Sequence, residues 1–202
     1  MFYRPGIDEH GLPHNPFKAM ISPRPIAWIS TANPDNSGNL APYSFFNAFS
    51  DAPPMLAYGT SGRKIGIDED KDTLSNIHRT GEFVVNLVAA KMLEAMNISS
   101  QHFAAGEDEF AKAGLEKAAC ETVAAPRIAG APASFECKLW KVLDLPGGVD
   151  KMVIGEVTGV HYDPACIRNG RFDVTTYQPI ARLGYRDYAR ISDLFELDRP
   201  DD

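Results

Sequence analysis

Apolar positions fall along the chain in short β-type runs punctuated by turn residues, with a few helical stretches between them. Pro25 to Thr31 (Pro-Ile-Ala-Trp-Ile-Ser-Thr) is rich in bulky and β-branched residues and predicts a strand. Asn33 to Asn39 concentrates Asn, Pro, Asp, Ser and Gly, the residues that make turns, and a second run follows from Leu40 to Ser50. The two runs read as a hairpin. Pro53-Pro54 breaks the chain before a third strand, Met55 to Thr60. A loop containing Ser61-Gly62-Arg63-Lys64 leads to a short helix from about Thr73 to Arg79, with Leu74 and Ile77 on one face and Gly81 ending it. Phe83 to Val88 is a continuous apolar strand.

Ala90 to Met96 and Glu107 to Ala113 carry good helix formers, and Gly114 stands where a C-terminal cap is expected. Pro126 and Pro132 return the chain to extended structure. Phe135 to Leu145 and Met152 to Tyr162 predict two long strands joined by Pro146-Gly147-Gly148. In the second, Val153, Gly155, Val157 and Gly159 share a face thinned by glycine, which permits close approach of a backbone or ligand. Residues 1–24, rich in Pro, Gly and His, read as extended, with an arm over about 1–16, and an acidic tail spans about 192–202. Strands outnumber helices. The expected fold is mainly β, a closed or partly closed antiparallel barrel with helical insertions.

Composition narrows the function. The 202 residues are 44% hydrophobic and 23% charged, enough for one sizeable core and hence a single domain over 1–202. Lys and Arg number 20 against 27 Asp and Glu, a formal net charge of −7. Bulk attraction to nucleic acid or an anionic membrane is therefore not expected, and an anionic ligand needs a local cluster of donors. Cys120, Cys137 and Cys166 form no C-x-x-C pair and suit a reducing compartment. The first residues lack an apolar signal region, and no apolar stretch reaches membrane-spanning length. A cytoplasmic location is the expectation.

Several chemistries lack their motifs. No Gly-x-Gly occurs, so there is neither a dinucleotide fingerprint nor a P-loop, and no H-E-x-x-H occurs. His10 and His14 have i, i+4 spacing, but Gly11 and Pro13 between them disfavour a helix face, so metal binding is not expected there. Gly59-Thr60-Ser61-Gly62 lacks the spacing of a nucleophile elbow.

Two segments carry positive signals. Arg63, Lys64 and Lys71, with Ser61, Asp72 and Thr73, put cations and hydroxyls in a loop and at a helix start, where free N–H groups and the helix dipole favour an anion. On local sequence alone, capping by Asp72 or Thr73 with solvated cations is the simpler reading. Asn39 to Ser50 combines small polar side chains with clustered aromatics, a wall suited to a planar heterocycle or to ordinary core packing.

In order along the chain, these segments resemble the flavin reductase-like family of FMN-binding split-barrel proteins, which includes flavoredoxin-like members. The matching words are Ser22-Pro23-Arg24-Pro25-Ile26-Ala27-Trp28-Ile29-Ser30-Thr31, Asn39 through Ser50, and Lys71-Asp72-Thr73-Leu74. They continue with Gly81-Glu82-Phe83-Val84-Val85-Asn86, Phe110-Ala111-Lys112-Ala113-Gly114-Leu115, Ile154-Gly155-Glu156-Val157, Ala181-Arg182-Leu183-Gly184 and Tyr188.

The resemblance implies a six-stranded split barrel binding FMN noncovalently at a homodimer interface. Ser44, Phe45, Phe46 and Asn47 would meet the isoalloxazine. Ser61, Arg63, Lys64, Lys71, Asp72 and Thr73 would hold the phosphate end, although Ile65 to Asp70 stands between Lys64 and Lys71 where the family often has no insertion. Arg24 and Arg182 are candidates to stabilise charge on reduced flavin, or else surface ion pairs. His161 would line the nicotinamide side or be an ordinary packed histidine. The implied activity is hydride transfer from NADH or NADPH to flavin N5, with electrons passed to a second acceptor such as a monooxygenase partner. No catalytic side chain and no metal are required. The alternatives are a flavoredoxin-like electron carrier and a non-enzymatic FMN-binding module.

Overall fold

The computed structural model describes residues 1–61, 71–104 and 106–200. The elements run α1 (Phe17–Met20), β1 (Arg24–Pro25), β2 (Ala27–Ala32), β3 (Gly38–Tyr43), β4 (Phe46–Asp51), β5 (Pro54–Ser61), α2 (Asp72–Thr80), β6 (Glu82–Asn86), α3 (Leu93–Ile98), and α4 (Glu109–Lys112). There follow β7 (Lys117–Ala118), β8 (Arg127–Ile128), β9 (Ala133–Asp144), β10 (Asp150–Tyr162), β11 (Ile167–Arg168), β12 (Arg171–Phe172), β13 (Ile180–Arg182) and β14 (Tyr188–Arg190).

A seven-stranded antiparallel sheet has the order β3-β2-β6-β9-β10-β5-β4, and a smaller one the order β1-β13-β14. The large sheet curls so that Tyr43 on β3 meets Tyr58 on β5, with ring centroids 4.7 Å apart. It is not a closed barrel: among the described residues no ladder joins the edge strands β3 and β4. Pro42, on β3, has no N–H to offer a further strand, which suits it to an edge. The run Leu40 to Ser50 is thus two strands. Ser44 and Phe45 cross from one edge to the other, and the Phe45 carbonyl accepts from Gly59 N at 2.7 Å.

Alternation on β2 sends Ile29 to one side and Trp28 to the other. Ile29 joins Tyr58, Phe83, Val85 and Val153 inside the curl, where α2 inserts Leu74 and Ile77, both fully buried. Each such aliphatic side chain contributes about 1.5–3 kcal/mol. Helix α2 ends at Gly81, whose φ of 70° is left-handed and whose N–H closes on Ile77 O. Trp28 packs with Leu40, Met96 and Phe110 on the outer side, and its Nε1 donates to Ser99 Oγ at 2.9 Å. Asp108 caps α4 by accepting from Phe110 N and Ala111 N.

The long hairpin forms as β9 and β10, with register shifts at Ile154/Gly155 and Val157/Gly159. Its glycines do permit close approach, but by side chains of the same chain. A Cβ at Gly155 would lie 2.4 Å from Phe83 Cζ, and one at Gly159 would lie 3.1 Å from Glu136 Cδ. The N-terminal segment is not extended throughout. Arg4 pairs with Asp8 at 2.8 Å in a turn, and Phe17–Met20 is helical. No described helix is long and apolar enough to cross a membrane.

Candidate functional site

The seam between β3 and β4 opens into a cleft of ≈ 650 Å³. Tyr43, Ser44, Phe45, Thr60 and Ser61 line it from the large sheet. Lys71 stands at the start of α2, Asp150 and Lys151 at the base of β10, and α1 and the β13–β14 turn form the opposite wall.

That wall depends on Arg24. The residue is 7% exposed, and its guanidinium donates to the carbonyls of Lys18, Ile21 and Leu183, the last at 2.7 Å. It thereby ties α1 to the turn after β13. Burial, and then the nearby charge of Arg182, lower the pKa of Arg24. Lys18 and Arg24 stand over the Phe45 ring, 5.5 and 5.8 Å from its centroid. Arg182 donates to the Tyr185 carbonyl and lies 4.4 Å from the centre of the Tyr188 ring. Gly184 completes the wall by letting the turn touch Ala19.

Lys71 provides the second positive end. It is half-buried, with its ammonium 5.9 Å from the Tyr43 ring centroid. Burial lowers its pKa and Asp150 pulls the other way. It immediately precedes the first turn of α2, whose amide dipoles add to its field. Behind it, Thr73 Oγ1 donates to Asn39 Oδ1 at 2.7 Å, and Asn76 Nδ2 donates to Thr31 Oγ1 and Asn33 Oδ1. This buried polar set fixes α2 against β2 and β3.

The structure brings Arg24, Ser44, Phe45, Ser61, Lys71 and Arg182 into one cleft. Phe46 turns inward against the core, and exposed Asn47 accepts from Ala48 N through its Oδ1. Thr73 is buried in the Asn39 network and Asp72 begins α2; neither lines the cleft. Arg63 and Lys64 lie outside the described residues. His161 is not in the cleft: it meets Glu136 across β9 and β10. Burial opposes ionisation of Glu136, but hydrogen bonds from Thr122, Glu121 and His161 outweigh it and hold the carboxyl at about 2.

Sequence reasoning missed Phe17, Lys18, Tyr185, Asp150 and Lys151, and gave Tyr188 no place at the site. Only Gly184, a glycine without a turn motif, hinted that two segments meet there. No cysteine or histidine is among the described lining residues. The cleft offers aromatic surface, hydrogen-bonding groups and cations at two places, a setting for a planar ligand with an anionic tail.

The model of the flavin reductase like domain matches residues 20–177, and the chain belongs to that family. An uncharacterized protein of Aquifex aeolicus is 38% identical over 174 residues, which span 85% of this chain and 86% of that protein. A solved structure of 2-nitrobenzoate 2-nitroreductase from Pseudomonas fluorescens is 32% identical, with a TM-score of 0.80 over 91% of this chain and 88% of that one. Nitrilotriacetate monooxygenase component B from Bacillus cereus is 28% identical, with a TM-score of 0.88 over 98% of both chains.

Proposed function

We propose that the cleft binds FMN noncovalently and that the protein is an NAD(P)H-dependent flavin oxidoreductase of the split-barrel type. In this reading residues 1–202 act as one cytoplasmic domain and the working unit is a homodimer. The observation that carries it is the joining of an aromatic wall to two separated positive groups, Lys71 at one place and Arg24 with Arg182 at another. The cleft volume is within the roughly 300–1,000 Å³ range of small-molecule sites, and its donors suit a phosphate and an electron-rich ring.

Lys71 and the start of α2 would hold the phosphate; Thr73 acts there by fixing that turn through Asn39, and Asp72 begins the helix. Ser44 and the Phe45 backbone border the ring, while Phe46 and Asn47 support the strand from either side. Ser61 closes the end of β5, and Arg63 and Lys64, which follow it in sequence, are assigned to the same anion by the family resemblance alone. Arg24 and Arg182 keep a positive potential where charge develops on reduction. When bound, the flavin supplies two-electron chemistry, taking a hydride from NADH or NADPH and delivering electrons to a second acceptor.

The likeness to component B of a monooxygenase favours a partner monooxygenase as that acceptor, and the likeness to a nitroreductase favours a small nitroaromatic. Stopped-flow mixing of FMN-loaded protein with NADH and NADPH tests the reading. The expected result is rapid bleaching of the visible flavin band, then reoxidation by one of the two acceptors. Reduction only by a protein partner would make it an electron carrier, and no turnover with any donor a binding module. Failure to take up added FMN would overturn the whole reading, and a monomer by light scattering with FMN bound would overturn the dimer.

A further inference from the structure

We propose that Cys120, Glu136 and His161 form a binding site for one divalent transition-metal ion, zinc by its donor chemistry, beside a depression that His161 lines and that shares no lining residue with the cleft. The Cys120 Sγ, a Glu136 oxygen and a His161 ring nitrogen all lie within 4.8 Å of one another. Sulfur, imidazole nitrogen and carboxylate oxygen are the three donor types zinc takes, and three protein ligands leave one position for water.

The surroundings hold the donors in place. Glu136 is fully buried, and its Oε1 accepts from Glu121 N at 2.8 Å while its Oε2 accepts from Thr122 Oγ1 at 2.6 Å. These are the outer contacts that orient a ligating carboxylate. The neighbouring positions 121 and 122 belong to the same segment as Cys120, so the contacts that fix Glu136 also bring the thiol to it. Gly159 leaves room for the carboxyl, since a Cβ there would stand 3.1 Å from Glu136 Cδ. His161 Nε2 points at Glu136 Oε1. A bound ion would take the place of the proton these atoms share, with the two donors moving apart to tetrahedral spacing and the ion seated off the line between them, on the side of Cys120 Sγ.

Entry is from the depression of ≈ 450 Å³ lined by Arg127, Gly130, His161 and Asp163. Its His161 is partly exposed, with 24% of the side chain accessible. A thiolate and a carboxylate would together neutralise the divalent charge, with His161 neutral and the Cys120 proton released on binding.

The test uses the 202-residue chain, treated with chelator and titrated with Zn²⁺ and Co²⁺. The expected result is one ion per chain, with a sulfur-to-cobalt charge-transfer band and the visible bands of four-coordinate Co²⁺. Cys120→Ser should abolish the charge-transfer band, and Cys120→Ser and His161→Ala should each weaken Zn²⁺ binding by roughly 10–100-fold or more. Circular dichroism verifies that each variant is folded, and both metal arms are repeated without flavin. Absence of stoichiometric uptake by the parent protein would overturn the site and leave Glu136 and His161 as a structural clasp. An unchanged cobalt spectrum in Cys120→Ser would also overturn it, since Cys137 or Cys166 would then be the sulfur ligand.

Discussion

Gly184 lies so close to Ala19 that a Cβ at position 184 would stand 2.3 Å from the Ala19 Cβ and 2.7 Å from its Cα. Backbone cannot yield to that degree without moving α1. Gly184→Ala should therefore destabilise the protein by about 1–3 kcal/mol, the usual cost of overpacking, and weaken FMN binding by opening the wall. Denaturant titration and flavin fluorescence measure the two effects. Adding Ala19→Gly removes the nearer clash and leaves the other, so recovery should be partial; full independence of the two substitutions would mean that the contact does not matter.

Arg24 separates two roles. If its main work is to bind the three carbonyls, Arg24→Gln leaves acceptors unmet and lowers stability by roughly 2–4 kcal/mol, with faster tryptic cutting at Lys18. Flavin affinity then falls as a consequence. Lost affinity with unchanged unfolding would instead mark Arg24 as a direct ligand contact.

Lys71→Ala should weaken FMN binding more than riboflavin binding, because only FMN carries the phosphate. The single variant is cleaner than one that also changes Thr73, whose hydroxyl is engaged with Asn39. The pH dependence has a definite sign. Burial favours the neutral amine of Lys71, so the FMN-over-riboflavin preference should fade as pH rises toward values below the ordinary lysine range of 10.5. Lys71→Ala should flatten that dependence. Isothermal titration with both ligands at several pH values gives the comparison.

Tyr58 carries a buried hydroxyl with no hydrogen-bond partner among the described residues, and burial pushes its pKa well up. Tyr58→Phe removes that group and keeps the ring against Tyr43 and Phe83. Stability should rise by about 1 kcal/mol, from relief of an unmet polar group, seen as a higher melting temperature. A drop would reveal a partner for the hydroxyl.

Much of this fold was legible because strands and α2 are local patterns. Alternation and turn residues mark β2, β5, β9 and β10, and Leu74, Ile77 and Gly81 mark the helix and its end. The seam was not legible. Eleven residues from Leu40 to Ser50 read as one strand, and only the partners of Tyr43 and Phe46, Ala27 and Tyr58, show the crossing. The same limit hid α1, a four-residue helix with no apolar periodicity, which is placed by contacts from Arg24 and Gly184. Of the residues proposed for the phosphate, Lys71 lines the cleft, whereas the Thr73 hydroxyl serves the interior.

The bond from Arg24 to the Leu183 carbonyl joins positions 159 apart in sequence. Among the described residues the large sheet contains no strand beyond β10, so its ladder is complete before the segment that closes the cleft is reached. The curled sheet and the wall that closes the cleft are consequently built from different parts of the chain. A polypeptide stopped short of Leu183 could retain the curled sheet and its buried helix, and still present a groove with one side missing.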